Sequence, residues 1–234
     1  MSYPRFISAA ALVVAAFVTT ALAGSDTKIE LKKGERIIFL GDSITAGGVG
    51  QKGYVTLVKN ALADKHKDLG IDVIGAGVSG NKVPDLQKRL DKAVLQRKPT
   101  LVVVYIGIND VWHGEKDPAK GTSPENFEAG LKDIIGQIRK ADARVILCTP
   151  SVIGEFPGGA NKLDKQLDDY ADISRKVARE TGSTLCDLRK AFVEYLAANN
   201  TEKKEKDILT SDRVHLNEAG NRLVAETVLK ALGN

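Results

Sequence analysis

The chain has 234 residues and a formal net charge of +4, with 27% charged and 43% hydrophobic residues. Lys, Arg, Asp and Glu are mixed along it instead of forming a basic stripe, which argues against nucleic acid as a partner. Its 2 cysteines and 3 histidines are scattered with none of the spacings that hold a metal, so no metal ligand is assigned.

Met1 to Arg5 carry one Arg, an apolar run spans Ile7 to Leu22, and Ala21-Leu22-Ala23 precedes Gly24. A basic start, an apolar stretch and small residues in that order predict a secretory signal peptide over 1–23, cut after Ala23. The run is short for a membrane span, which takes ~20 apolar residues, and no later segment is apolar enough to provide one. A secreted or periplasmic protein is expected, whose mature part, 24–234, has the size of a single domain.

From Arg36 to Leu40 a short apolar strand runs into Gly41-Asp42-Ser43. That puts a hydroxyl at the strand's carboxyl end, where open α/β sheets place their chemistry. Tyr54, Leu57, Val58, Ala61 and Leu62 then recur at helical spacing. A second strand is predicted over Ile71–Ile74, followed by the glycine-rich Gly75-Ala76-Gly77-Val78-Ser79-Gly80. The third, Leu101–Ile106, is apolar throughout, as a parallel strand covered on both faces should be. After it come Gly107-Ile108-Asn109-Asp110 and the irregular stretch Val111–Gly121.

Thr122-Ser123-Pro124-Glu125 offers a capping box from Thr122 to Glu125 and a first-turn Pro. The helix behind it carries Phe127, Leu131, Ile134, Ile135 and Ile138 on one face. Strands Arg144–Cys148 and Thr184–Asp187 bracket a further helix marked by Leu163, Leu167, Tyr170, Ile173 and Val177. The last helix is expected from about Glu218 to Leu232, with Asn217 as its N-cap. Strands alternating with helices predict a parallel sheet between helical layers. Cys148 and Cys186 fall within strands, where small buried hydrophobes are the expected role. A disulfide between them stays open at this level, since it needs Cα atoms within ~7 Å.

Ser43, Gly80 and Asn109 follow the first, second and third strands, so all three gather at one edge of the sheet. Acyl transfer requires a nucleophile, a base oriented by a third group, and donors aimed at the developing oxyanion. Ser43 is the candidate nucleophile. The backbone N–H groups of Ser43 and Gly80 and the Asn109 amide are the candidate oxyanion donors. Asp212-Arg213-Val214-His215 places a carboxylate three residues before an imidazole, which one helical turn would bring to the same side. His215 would take the Ser43 proton, and Asp212 would fix its tautomer. Trp112 and His113 follow the Asn109-Asp110 stretch after Val111 and are the candidate substrate-binding residues. Asp42 and Asp110 are expected to hydrogen-bond loop backbone.

Gly41-Asp42-Ser43, Gly80 within Val78-Ser79-Gly80-Asn81, Gly107-Ile108-Asn109-Asp110 and Asp212-Arg213-Val214-His215 resemble the four blocks of the SGNH, or GDSL-type, esterase/lipase family. They stand in family order across nearly the whole mature chain. The resemblance implies a flavodoxin-like three-layer α/β/α fold with a five-stranded parallel sheet. It also implies Ser43 as nucleophile, Gly80 and Asn109 as oxyanion donors, Asp212 and His215 completing the triad, and no cofactor. One departure is Gly75, where the family's second block often opens with Asn.

The expected activity is hydrolysis of carboxylic esters of small acyl groups through an acyl-enzyme on Ser43, on a small-molecule or carbohydrate ester. The family also admits lysophospholipid hydrolysis and thioester cleavage. An aromatic content of 5% and the absence of a long apolar lid favour the small acyl group. Two Gly-x-Gly-x-x-Gly matches, Gly48/Gly50/Gly53 and Gly75/Gly77/Gly80, raise a dinucleotide-binding protein instead. The first lies beyond its strand end, and the second lacks the acidic residue that should follow about twenty positions on. A ligand-binding module that has lost catalysis is the remaining rival, and against it every expected catalytic position is occupied. Nothing in the sequence speaks to an oligomeric state.

Overall fold

Leu101, Val102, Val103 and Val104 are wholly buried, so the third strand forms the centre of the sheet in the computed structural model, which describes residues 29–234. The predicted signal peptide over 1–23 lies outside the described residues. The strands are β1 (Arg36–Gly41), β2 (Asp72–Gly77), β3 (Leu101–Tyr105), β4 (Arg144–Cys148) and β5 (Thr184–Cys186), all parallel, in the order β2-β1-β3-β4-β5. Strand order reverses between β1 and β3, and in open sheets that switch point is where ligands bind.

The helices are α1 (Ser43–Gly48), α2 (Tyr54–Lys65), α3 (Val83–Ala93), α4 (Ile108–Trp112), α5 (Pro124–Lys140), α6 (Asp164–Thr181), α7 (Leu188–Asn199) and α8 (Glu218–Ala231). Helix α2 packs on α1 and α8, and α7 on α8; α5 packs on α3 and α6. The sheet between these groups makes the α/β/α sandwich that the sequence implies. The core includes Ile37, Ile38, Phe39 and Leu40 of β1, all at 0% exposure. Tyr54 sits edge-on to both Phe39 and Tyr105, and its hydroxyl is satisfied by Thr45 Oγ1 at 2.8 Å.

Several local expectations change. Strand β2 runs past Ile74 to Gly77, because its glycine-rich end stays in register with β1 as far as Gly41. Close approach demands glycine there: a Cβ at Gly77 would lie 2.1 Å from the Ala46 nitrogen of α1. Helices α3 and α7 add to the elements expected; Val83, Leu86 and Leu90 of α3 are buried at helical spacing, and the Asp85 carboxyl accepts the Lys82 N–H at 3.1 Å in its first turn. The cap of α5 is Ser123 and not Thr122; Ser123 Oγ accepts the Asn126 N–H at 3.3 Å, while Thr122 is buried. Asn217 does cap α8, accepting the Gly220 N–H at 3.0 Å. Asn221 of α8 accepts the Tyr54 N–H at 2.9 Å, tying the last helix to the start of α2. Cys148 and Cys186 face each other in register across β4 and β5 as free, buried thiols, and burial pushes the Cys148 thiol up.

Candidate active site

A Cβ at Gly41 would lie 2.4 Å from the Tyr105 carbonyl oxygen, so β1 and β3 can run side by side to their ends only with glycine there. The chain then turns at Asp42, whose carboxyl accepts the Ile44 N–H at 2.9 Å and caps α1. Ser43 is thereby presented at the first position of α1, half-buried. Its Oγ lies 2.9 Å from His215 Nε2, and His215 Nδ1 lies 2.7 Å from Asp212 Oδ2. The three residues expected to act together therefore form one continuous chain of hydrogen bonds.

Asp212 and His215 do not share a helical turn. They occupy a tight loop closed by the Ser211 N–H on the His215 carbonyl at 2.8 Å and by the bridge between Thr210 and Leu216. Arg213 takes a positive φ of 83° at its tip. Asp212 Oδ1 accepts the backbone N–H groups of Val214 at 3.1 Å and His215 at 2.7 Å, leaving Oδ2 for the imidazole. Partial burial works against ionisation of Asp212, but the hydrogen bonds from the His215 ring and from these two amides outweigh it. They hold the carboxyl below its ordinary range.

Sequence reasoning missed what carries this loop. Glu155 is at 0% exposure and accepts the N–H groups of Ile208 at 2.8 Å, Leu209 at 2.7 Å and Thr210, together with the Thr210 hydroxyl at 2.7 Å. The preceding Gly154 N–H binds the Arg213 carbonyl at 2.8 Å. A Glu that closes an apolar stretch, Val152-Ile153-Gly154-Glu155, in the irregular segment after β4 was the available signal.

On the other side, Gly80 is exposed with φ +76°, and nothing lies within 4 Å of where its Cβ would stand. Backbone conformation, more than crowding, selects glycine there. Asn109 is 4% exposed on α4, and its Nδ2 donates to the Asn81 carbonyl at 3.1 Å. An amide nitrogen carries two hydrogens, so one N–H remains for a ligand. Asp110 Oδ1 accepts the Val83 N–H at 3.0 Å and so ties α4 to the start of α3. Burial and the nearby Asp110 charge push the Asp42 carboxyl up to about 7, and burial pushes Asp110 up to about 6.

Trp112 and His113 lie with Glu115, Lys116, Asp117 and Lys120 around an open hollow of about 330 Å³ that none of Ser43, Asp212 or His215 lines. Trp112 is half-buried against the core, and His113 is exposed. At Gly75, a Cβ would meet Val49 Cγ1 at 2.2 Å, so the residue that departs from the family pattern leaves room for Val49 at the end of α1. Among the described residues no group of three or more His, Cys, Asp or Glu is placed to hold a metal ion.

Residues 39–223 match the GDSL-like Lipase/Acylhydrolase family. An acetylxylan esterase of Geobacillus stearothermophilus is 31% identical over 219 residues, covering 88% of this chain and 97% of that protein. Its crystal structure superposes with a TM-score of 0.78. Solved catalytic mutants of that esterase change a serine, and an aspartate and a histidine three positions apart. The crystal structure of another acetyl xylan esterase is 42% identical, covers 84% of this chain and 99% of its own, and has a TM-score of 0.81. An isoamyl acetate-hydrolyzing esterase 1 homolog of Rattus norvegicus is 27% identical over 207 residues, 81% of this chain and 78% of that protein.

Proposed function

This chain belongs to the GDSL-like lipase/acylhydrolase family of ester-hydrolysing serine hydrolases, and we propose that it removes small acyl groups, acetyl first, from a carbohydrate ester through an acyl-enzyme on Ser43. The observation that carries this reading is the unbroken line from Ser43 Oγ to His215 Nε2 to Asp212 Oδ2, at 2.9 and 2.7 Å.

In the proposed reaction Ser43 Oγ attacks the ester carbonyl carbon while its proton passes to His215 Nε2. The carbonyl π pair moves onto oxygen, where the Ser43 and Gly80 backbone N–H groups and the free Asn109 N–H receive it. Asp212 holds the His215 Nδ1–H and stabilises the imidazolium. Collapse of the intermediate expels the alcohol, which takes the Nε2 proton. Water then enters: His215 removes its proton, the hydroxyl attacks the acyl carbon, and the carboxylic acid leaves as Ser43 recovers its hydrogen. The names of the acetylxylan esterases, matched over more than four-fifths of this chain, support acetyl on a carbohydrate as the substrate class. The signal peptide expected over 1–23 supports export to where such polymers are met. Trp112 and His113, one residue beyond the Asn109-Asp110 pair, are proposed to touch the alcohol part of the substrate.

Acetate release from acetylated xylo-oligosaccharides, set against p-nitrophenyl esters of increasing chain length, tests the reading. Turnover that falls with acyl length and is abolished by an organophosphonate mapped to Ser43 is the expected result. Preference for long acyl chains would overturn the substrate class, and an adduct on another serine would overturn the nucleophile.

A further inference from the structure

Arg89 stands two turns into α3, and nothing in the reaction above uses it. The guanidinium is half-buried and spends its donors on three acceptors that flank the candidate site. Nη2 donates to the Gly41 carbonyl at 2.7 Å, Nη1 to the Ala76 carbonyl at 2.9 Å, and Nε to Asn81 Oδ1 at 2.6 Å. Gly41 is the last residue of β1, two before Ser43, and Ala76 is the next-to-last residue of β2. Asn81 follows Gly80, and its own carbonyl is the acceptor that fixes the Asn109 amide at 3.1 Å. One planar fork thus grips the strand that delivers the nucleophile and the loop that carries Gly80. Through Asn81 it also reaches the side chain of Asn109.

We propose that Arg89 is the positioning residue of the oxyanion hole. It locks the Gly80-Asn81 segment against the ends of β1 and β2, so that the Gly80 N–H and the free Asn109 N–H stay at a fixed separation from Ser43. The loop needs such a clamp because Val78, Ser79 and Gly80 are all exposed and Gly80 takes the left-handed backbone. Lysine is not equivalent, since its compact ammonium lacks the planar fork that reaches these three separate acceptors. The inference rests on the proposed roles of Ser43, Gly80 and Asn109. Its effect falls on the charged transition state and not on the bound ester, because donors fixed in advance act where charge develops.

The test measures kcat, KM and melting temperature for Arg89→Lys, Asn81→Ala and their double variant on an aryl acetate, with Asn109→Ala as reference. Each single change is expected to lower kcat about tenfold or more with KM within about threefold. The double variant should be little worse than the poorer single, since both break one chain of contacts. Should Arg89→Lys fail to fold, Asn81→Ala, a change on a partly exposed loop, decides alone. Normal kcat in a folded variant, or a loss confined to melting temperature, overturns the clamp. Full activity in Asn109→Ala would instead sink the oxyanion assignment beneath it, so the two failures are distinguishable.

Discussion

The two sides of the candidate site are built in different ways. Ser43, Gly80 and Asn109 hang from the ends of three adjacent strands, and the β1 and β3 residues behind them are sealed from water. Asp212 and His215 hang from a loop that belongs to no strand, with both side chains about half exposed, at 52% and 42%. The first side rests on the strand ends, to which Arg89 ties the loop that carries Gly80. The second depends on one buried carboxyl, Glu155, whose oxygens take the backbone amides that lead into the loop. Ser43 is thus held at the end of a buried strand, with the Gly80–Asn81 loop gripped by Arg89, while His215 is held by polar contacts within and beneath its own loop.

The largest expected effects fall on the strand-borne side. Ser43→Ala should lower kcat by about 10³-fold or more with little change in melting temperature, since a hydroxyl at a strand end holds little of the core. A variant that keeps a tenth of the wild-type rate would mean that the serine is not the nucleophile. Asn109→Ala should cost about 10²- to 10³-fold in kcat with KM little changed. Asn109→Asp should be at least as damaging, because it sets a carboxylate against the oxyanion. Near-normal turnover in the Asp variant would remove Asn109 from that role.

The two sides should also respond to pH with opposite signs. Asp42, raised from 3.8 to about 7, and Asp110, raised to about 6, stay protonated in the folded chain where the unfolded chain has released its protons. Their contribution to stability is therefore greatest near pH 4 and falls as pH rises to about 7. Each tenfold change in proton affinity is worth ~1.4 kcal/mol, so Asp42 alone accounts for a few kcal/mol. Asp212, held low, contributes stability above the ordinary carboxyl range and loses it as pH falls through its folded pKa. Urea unfolding at about pH 5 and about pH 8 checks this: Asp42→Asn should flatten the slope, and an unchanged slope would rule out Asp42 as its source.

Smaller effects probe the loop. Glu155→Gln turns donors toward donors and should cost about 1–3 kcal/mol. Hydrogen exchange should then show Leu209 and Thr210 amides losing protection while those of β1 and β3 keep theirs. Equal loss everywhere would mean that Glu155 supports the whole domain and not the base loop. The smallest effect is expected at the exposed Glu205–Arg213 pair, 2.8 Å apart at the loop's tip, where Glu205→Ala should change stability by less than about 1 kcal/mol.

The same division explains what the sequence reveals. Strand β3 is legible because a run buried on both faces has no polar interruption; Ser43 and Asn109 are legible because they follow such runs, and Gly80 because it closes the glycine-rich stretch after β2. The pairing of Asp212 with His215 is legible from spacing, but its geometry is not. A loop closed by an aspartate binding its own backbone has the same spacing as a helical turn. Glu155 and Arg89 stay hidden because most of their partners are backbone groups, which carry no residue identity and leave no periodic mark. Thr122 and Ser123 compete for the cap of α5 because both hydroxyls precede Pro124, and only the backbone decides which one meets the amides of the first turn.

Ser43 and His215 are 172 residues apart, and the sheet is complete by Cys186. Chains emerge from the ribosome amino end first, so Ser43, the Gly80 loop and the five-stranded sheet are made before His215. Until the final stretch arrives, the growing chain has a serine with nothing to deprotonate it. Helix α8, which follows the base loop, is tied to Tyr54 through Asn221. Ester turnover, on the proposed assignment, is a timer: it starts only when the segment that carries Asp212 and His215 has been made and has met Ser43.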